Sequence, residues 1–383
     1  MRHHATALRG RKRALMPGVL AAGLLAAAMA VAPPAAADSF TYGSGVPERS
    51  AANGKGVLPI LDQIAEVTEG RVSFTPILGG QLVSIPNAFD GIRDGVVDSG
   101  FFITQFSATQ LPYSSLISEM TGLGGDPYAT MGAINEILFV GCQNCRDEMR
   151  VAGIVPLLMQ SASPLATMCT KPVASAADLA GLRASTIGSP EARWATALGM
   201  TPMRTSIVDI LPALQLGQSD CTIIGTSWIR SYGLEDTVKG VIDMPQGIIA
   251  GAAPITFNRD SWGRIAKEDQ ARIIGLMPAA VWDYVTNAYL LPDAEVKAAL
   301  SARIPFAPGD DEMHRRWTGF QEGEVAALKA LARDRKLADG DAVVDRMVAT
   351  FRIWHERLLP AFKGDRAKFE AVLNERVFSK YPF

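Results

Sequence analysis

Four cysteines are the residues of this sequence best suited to chemistry. Cys142 and Cys145 form a C-x-x-C pair, whereas Cys169 and Cys221 stand alone. A C-x-x-C pair can act as a redox motif if one thiolate is accessible and has a low pKa. Here the pair follows an apolar, helix-like stretch instead of the first strand of a βαβ unit. A zinc site is disfavoured because no second close pair and no nearby histidine is present.

We therefore favour two structural disulfides, Cys142–Cys145 and Cys169–Cys221, among the three possible pairings. The loop-entropy model assigns about 4 kcal/mol to the longer loop and about 2 kcal/mol to the shorter one. Loss of the second bridge should therefore impair folding more.

Histidine is scarce, which argues against several classes of enzyme. Beyond residue 37 only His314 and His355 are present, both in polar segments with a helical pattern. Catalysis by Ser-His-Asp or Cys-His groups needs a positioned imidazole, and solvent-facing positions are the better interpretation of both histidines. We expect no enzymatic activity, no cofactor and no metal site.

The N-terminus has the pattern of a secretory signal. Five basic residues and no acid lie within 2–13, an apolar run covers 14–32, and three alanines occupy 35–37. This pattern predicts a signal peptide over residues 1–37 and a periplasmic protein; a membrane anchor is the less favoured alternative. The remaining chain has 32 basic and 39 acidic residues, which disfavours nucleic acid as a partner. An oxidising compartment also favours disulfides.

Beyond residue 37 the sequence alternates between strand and helix patterns. A β-α-β-α-β run covers about 38–104, and a similar run covers about 181–225. Each run contains a Gly-x-x-Asp motif just before an apolar strand, at Gly95 to Asp98 and at Gly217 to Asp220. The repeated alternation of strand and helix patterns predicts an α/β protein with two similar lobes and a cleft between them. Ligands bind at the carboxyl ends of the strands in such sheets, so we expect the solute in this cleft.

We place lobe I at 38–163, with 248–290 returning to it, and lobe II at 164–247, with part of 291–383. Residues 291–383 read as a helical C-terminal region.

Six sequence blocks resemble a known family. They are TEGRVSFTPILGGQL, GIRDGVVDSG, KPVASAADLAGLRAS, ALGMTPM, DILPALQLGQSDC and ITFNRDSWGRIAKEDQ. In this order they are similar to the DctP-like solute-binding subunits of TRAP (tripartite ATP-independent periplasmic) transporters, over about residues 40–290. The C-Q-N-C segment also looks like one in a branch of this family.

The resemblance implies a periplasmic binding protein fold whose C-terminal helices brace both lobes. It also implies capture of a small solute, delivered to a small and a large membrane subunit.

One departure from the family concerns the ligand's charge. Most relatives end the strand corresponding to Gly181–Ser185 in an arginine that clamps a carboxylate, and here that position is Ser185. Two further polar positions of relatives fall near Leu165 and Ile224. A buried carboxylate needs paired charge or several donors, so we expect a polar solute with little or no negative charge. The alternative is an organic acid held by another cation, Arg193 or Arg230.

The predicted ligand-binding residues stand at strand ends or near the crossing between lobes. They are Tyr42, Ser44, Gln81, Ser84, Phe102, Thr104, Ser161, Ser163, Ser185, Thr186, Thr226 and Trp228. Trp228 can stack on a planar or cationic ligand. Three other functions stay open at this point: a sensor-type binding protein, a subunit of an ATP-driven importer, and a thiol oxidoreductase that uses Cys142 and Cys145.

Overall fold

Two β-sheets organise the chain. The computed structural model describes residues 38–383, so the predicted signal peptide (1–37) lies outside the described residues. In chain order the strands are β1 (Asp38–Gly43), β2 (Val72–Ile77), β3 (Ser99–Ile103), β4 (Ile154–Gln160), β5 (Leu165–Cys169), β6 (Arg183–Thr186), β7 (Thr201–Arg204), β8 (Cys221–Gly225), β9 (Gly240–Ile242), β10 (Ala252–Asn258) and β11 (Phe306–Ala307). The first sheet has the order β2-β1-β3-β10-β4, and the second has the order β11-β9-β5-β8-β6-β7.

The helices cover the sheets and make up most of the C-terminal third. They are α1 (Leu58–Val67), α2 (Ala88–Arg93), α3 (Leu116–Glu119), α4 (Pro127–Glu136), α5 (Gln143–Val151), α6 (Ala176–Leu179), α7 (Ser189–Ala197), α8 (Ile210–Gln215), α9 (Trp228–Ser231), α10 (Arg259–Arg264), α11 (Lys267–Val285), α12 (Leu291–Leu300), α13 (Asp311–Asp334), α14 (Gly340–Arg352), α15 (Leu359–Phe362) and α16 (Arg366–Arg376). The predicted α/β class with long C-terminal helices is confirmed. None of the helices within 38–383 is long and apolar enough to cross a membrane.

The two Gly-x-x-Asp motifs perform the same structural task in both sheets. Gly95 and Gly217 follow α2 and α8 with φ angles of 73° and 64°, a region that favours glycine. Asp98 accepts a hydrogen bond from the Thr41 N–H (2.8 Å), and Asp220 accepts one from the Arg183 N–H (2.9 Å). Each aspartate thus ties the start of its own strand to the neighbouring parallel strand, β1 or β6.

Two chain segments cross between the sheets side by side. The first joins β4 to β5, the second joins β9 to β10, and Pro164 and Ile248 form an antiparallel bridge between them. The Ala162 N–H donates to the Ile249 carbonyl at 2.8 Å. We call the elements around the first sheet the first lobe and those around the second sheet the second lobe; the exact lobe boundaries stay a prediction.

Helix α13 packs against both lobes. Met313 near its start is buried in one core of the second lobe, whereas Leu328 and Ala332 near its end belong to the core of the first lobe. By contrast, α11 buries Ile273 and Met277 in the first lobe alone. The apolar stripe of α13 therefore makes contact with both lobes across 24 residues.

Both predicted disulfides are formed. Cys142–Cys145 joins the N-cap residue of α5 to the first turn of that helix, and Cys169–Cys221 joins the paired strands β5 and β8 in register. All four cysteines are buried, and residues 38–383 contain no free thiol. The cysteines therefore serve as cross-links inside the fold.

Candidate binding cleft

A cavity lies between the lobes at the carboxyl ends of the strands. The volume of this cavity is about 70 Å³. First-lobe lining residues lie at or after the ends of β1, β2, β3 and β4, and second-lobe lining residues follow β6, β7 and β8. These are Val46, Ser50, Ala52, Ile85, Pro86, Phe101, Ile103, Gln105, Phe106, Gln160 and Ala162 from the first lobe, and Ile187, Ser206, Ile207, Trp228 and Tyr232 from the second, with Ile249, Ala252 and Tyr289 beside the crossing.

Aromatic side chains form the second-lobe wall. Trp228 begins the short helix α9, and Tyr232 follows its end. Their ring centroids are 5.9 Å apart in a T-shaped arrangement. Burial raises the pKa of the Tyr232 hydroxyl, which therefore stays protonated at physiological pH. The wall thus offers two ring faces, an indole N–H and a neutral phenol.

A buried amide and two tyrosines form the floor near the crossing segments. The Gln160 amide nitrogen donates to the Tyr289 hydroxyl, and the Tyr284 hydroxyl donates to the Gln160 carbonyl oxygen at 3.3 Å. Burial raises the pKa of both tyrosines well above the usual value. Since the Gln160 amide is already engaged at both ends, this network sets the shape of the cleft and leaves little hydrogen-bonding capacity for a solute.

The cavity lining within residues 38–383 contains no charged side chain. Arg193 donates instead to both carboxylate oxygens of Glu324, at 2.8 and 2.7 Å, and contacts Glu119 at 3.3 Å. Arg230 pairs with Glu235 at 3.1 Å on the exposed surface. The two arginines considered for an acid ligand therefore both have carboxylate partners outside the lining.

Trp228 is the one predicted ligand-binding residue that lines this cavity. Ser185, at the position of the family's clamp, is buried and donates to the Ser219 hydroxyl at 2.8 Å. It borders an adjoining second-lobe groove of about 450 Å³ that shares Ser206 with the cavity and also contains Arg204. Ligand contact by Ser185 stays a prediction, and the groove does not include the aromatic wall.

The other predicted residues lie around the cleft. Buried first-lobe positions are Tyr42, Ser44, Phe102, Thr104 and Ser161; Gln81 and Ser84 are exposed; Ser163, Thr186 and Thr226 are buried toward the second lobe. Several have partners inside the protein: Thr104 bonds to Ser118 at 2.8 Å, and Ser163 donates to Asp293 at 3.0 Å. Thr226 borders a different recess, of about 270 Å³. Their contact with a solute is not shown here and stays a prediction.

Several residues that line the cavity lie one position away from a predicted ligand-binding residue. In β3 it selected Phe102 and Thr104, whereas Phe101, Ile103 and then Gln105 face the cavity. Side chains alternate between the faces of a strand, so a shift of one position changes the face. The signal that would have located the cleft is the polar Gln105, two residues after a strand that is buried on both faces.

The fold and its cleft define a class of protein: a two-lobed binding protein. The chain belongs to the bacterial extracellular solute-binding protein family 7 (DctP), whose profile matches residues 43–303. This confirms the resemblance that the sequence blocks predict. No protein of curated function matches the chain by sequence.

Solved structures share the fold. A TRAP periplasmic solute-binding protein from Bordetella bronchiseptica with bound mandelate is 22% identical, with a TM-score of 0.69 over 82% of this chain and 99% of that one. A TRAP solute-binding protein from Rhodoferax ferrireducens with copurified benzoate is 18% identical, with a TM-score of 0.72 over 83% and 99%. DctP7 of Bordetella pertussis, an extracytoplasmic solute receptor binding pyroglutamic acid, is 16% identical, with a TM-score of 0.66 over 82% and 100%.

Proposed function

We propose that this protein is the periplasmic solute-binding subunit of a TRAP transporter and that its solute is a small, partly apolar molecule without net negative charge. The observation that carries the second part is the cleft lining: aromatic rings, aliphatic side chains, hydroxyls and amides, with no charged group. The membrane subunits that receive the solute are part of the proposal, as is export through residues 1–37.

Charge is the main physical argument. Moving a carboxylate out of water costs several kcal/mol unless a cation or several donors replace its hydration. A hydrogen bond to a charged group contributes about 1.5–3 kcal/mol, whereas a neutral one contributes about 1 kcal/mol. A cleft with neutral donors alone therefore favours the uncharged member of any acid–amide pair.

Ring-shaped solutes fit the walls. Trp228 and Tyr232 form a T-shaped pair, and Phe101 and Phe106 line the same cavity. Aromatic groups in contact add about 0.5–1.5 kcal/mol beyond the area they bury. Two of the structural neighbours bind mandelate and benzoate, which supports a cleft for one ring in this fold. We propose that this chain keeps the preference for a ring and loses the preference for an acid.

Matched pairs of ligands test the proposal. Thermal unfolding and calorimetry of the mature protein would compare benzamide with benzoate and 3-hydroxybenzamide with 3-hydroxybenzoate. We expect the amides to raise the Tm and the acids to leave it unchanged, because a ligand that binds only the folded state stabilises it. Micromolar binding of benzoate, succinate or malate, with weaker binding of the amides, would contradict the proposal.

Localisation needs its own measurement. Fractionation of cells that express the full chain should place a protein beginning at Asp38 in the periplasm. Recovery of the intact chain from the cytoplasm would contradict export.

A further inference from the structure

We propose that Gln105 is the specificity-determining residue of this cleft and that the buried carboxyl of Glu191 determines which end of its amide faces the solute. The solute class follows: an uncharged ring that bears a carbonyl, an amino group or an amide. This inference rests on the proposed function, since it names the groups of the solute that the neutral cleft would recognise.

Gln105 is the cleft amide whose hydrogen-bonding capacity remains available. It lies two residues after β3, it is half-buried, and it lines the cavity. Among the hydrogen bonds within residues 38–383, none involves its carboxamide, whereas the Gln160 amide is engaged by two tyrosines. A half-buried amide without an internal partner is suited to bind a solute by one donor and one acceptor.

Glu191 lies behind Gln105 on the second lobe. It is in the first turn of α7, its exposed fraction is 4%, and its Oε2 has no hydrogen-bond partner. Gly188 separates the two side chains: a Cβ placed there would be 2.6 Å from Glu191 Oε2 and 3.2 Å from Gln105 Oε1. Both polar ends therefore border the same small gap, which exists because residue 188 has no side chain.

Two oxygens that border one gap can form a hydrogen bond only if one of them carries a proton, and otherwise the amide must turn its NH₂ toward the carboxyl. If the Glu191 carboxyl is protonated, it donates to Gln105 Oε1, and the amide NH₂ faces the cleft. If the carboxyl is ionised, the amide turns its NH₂ toward Glu191, and its oxygen faces the cleft. Asparagine and glutamine amides rotate to suit their hydrogen-bond partners in this way.

The surrounding charges allow both states near neutral pH. Burial is the largest influence and raises the pKa of Glu191 to about 7; the nearby Glu119 carboxylate raises it further, and Arg193 lowers it. Glu324 on α13 neutralises part of the Arg193 charge, and Arg335 contacts Glu119 from beyond that helix. The cleft should therefore present a donor at mildly acidic pH and an acceptor at mildly basic pH.

Two neutral one-ring probes separate these states. Acetophenone offers an acceptor alone, and aniline is chiefly a donor. Calorimetry at about pH 5.5 and about pH 8.5 brackets the Glu191 transition. For the wild-type protein we expect acetophenone to bind about fivefold more tightly at the lower pH and aniline about fivefold more tightly at the higher pH, since one neutral hydrogen bond is worth about a factor of five.

Three variants assign the effect. In Glu191→Gln the affinities of both probes should become independent of pH. In Gln105→Leu both probes should weaken about fivefold and lose their pH dependence. Gln110→Leu, an exposed glutamine in the same loop that is outside the lining, is the control and should bind like the wild type. Circular dichroism of each variant checks folding.

The possible failures are distinguishable. If benzoate binds and neither neutral probe does, the proposed function falls and this inference falls with it. If the neutral probes bind the wild type and Gln105→Leu equally well, the inference alone is overturned. Pronounced pH dependence that persists in Glu191→Gln overturns the role of Glu191, and a wild type without pH dependence does so as well.

Discussion

Two buried regions between the lobes differ completely in charge. The cleft lining contains no charged side chain within the part of the chain that the structure describes. The neighbouring ionic junction, formed by Arg193, Glu119, Glu324 and Arg335, consists of charged groups. Glu324 and Glu119 are only 2% and 5% exposed. Burial alone therefore does not decide where this protein places charge.

The two regions differ in charge because the ionic junction contacts other parts of the protein, whereas the cleft contacts water or a solute. In the ionic junction every charge has a partner on another element: Arg193 of α7 binds Glu324 of α13 with two hydrogen bonds, and Glu119 ends α3. Paired ions tolerate burial, because each replaces the other's hydration. The cleft, by contrast, must stay open to water when no solute is bound, and an unpaired cation there would attract organic acids. Arg193 is thus engaged in ion pairs between elements, whereas the cleft lining within residues 38–383 offers neutral groups.

The largest effect is expected from removing the cation of the ionic junction. Arg193→Met leaves Glu324 and Glu119 buried without their main partner, and losing one member of a buried pair costs about 3–5 kcal/mol. The midpoint of urea unfolding should fall accordingly. Arg230→Met, which breaks an exposed pair with Glu235, should change stability by less than about 1 kcal/mol. Equal losses in both variants would show that the ionic junction is no more important than a surface pair.

The next effect concerns pH. Burial raises the pKa of Glu191 from 4.5 to about 7. Between these values the unfolded chain releases the proton while the folded protein retains it, so stability falls as pH rises through this window. The whole loss is about 3 kcal/mol at pH above 7. Glu191→Gln removes this loss, so its unfolding free energy relative to wild type should rise with pH over the window; a constant difference would contradict the assigned pKa.

Much of the fold is readable from local pattern. The Gly-x-x-Asp motifs, the alternating apolar runs and the spacing of the cysteines predict two α/β lobes and two disulfides, and these features are present. They are readable because a glycine of positive φ, a strand and a short cysteine loop each depend on neighbours in sequence. The end of a helix is harder to read: α2 ends at Arg93, and the apolar Val96 beyond it is exposed.

The site was less readable, for two physical reasons. Strands β3 and β8 are buried on both faces, so hydrophobic alternation does not reveal which side chains face the cleft. The partners of Arg193 lie 74 and 131 residues away in sequence, and no local pattern indicates such pairing. Trp228 was predicted because it lies shortly after the end of β8, and Gln105, which lies shortly after the end of β3, was not.

A smaller effect is expected at the aromatic wall. Trp228→Ala should weaken benzamide binding by about 2 kcal/mol, roughly thirtyfold, because buried aromatic side chains contribute most to such contacts. Trp228→Phe keeps a ring face and loses the indole N–H, so it should lose about 1 kcal/mol. Calorimetry measures both. If the two variants bind equally weakly, the indole N–H is the important group and ring contact is not.

The smallest effect is expected from adding a cation to the cleft. Ser206 lies on the second-lobe wall and its side chain is exposed, so an arginine can replace it while its stem stays in solvent. Ser206→Arg should strengthen benzoate binding by about 1.5 kcal/mol, roughly tenfold, through one charged hydrogen bond, and should leave benzamide binding nearly unchanged. Val208→Arg is the matched control, because Val208 is 54% exposed and lies outside the lining; it adds the same charge without contact.

If Val208→Arg improves benzoate binding as much as Ser206→Arg does, net charge and not the cleft controls the preference. If Ser206→Arg gains nothing for benzoate, the absence of a cation is not what disfavours acids here, and the contrast between the neutral cleft and the ionic junction loses its functional meaning.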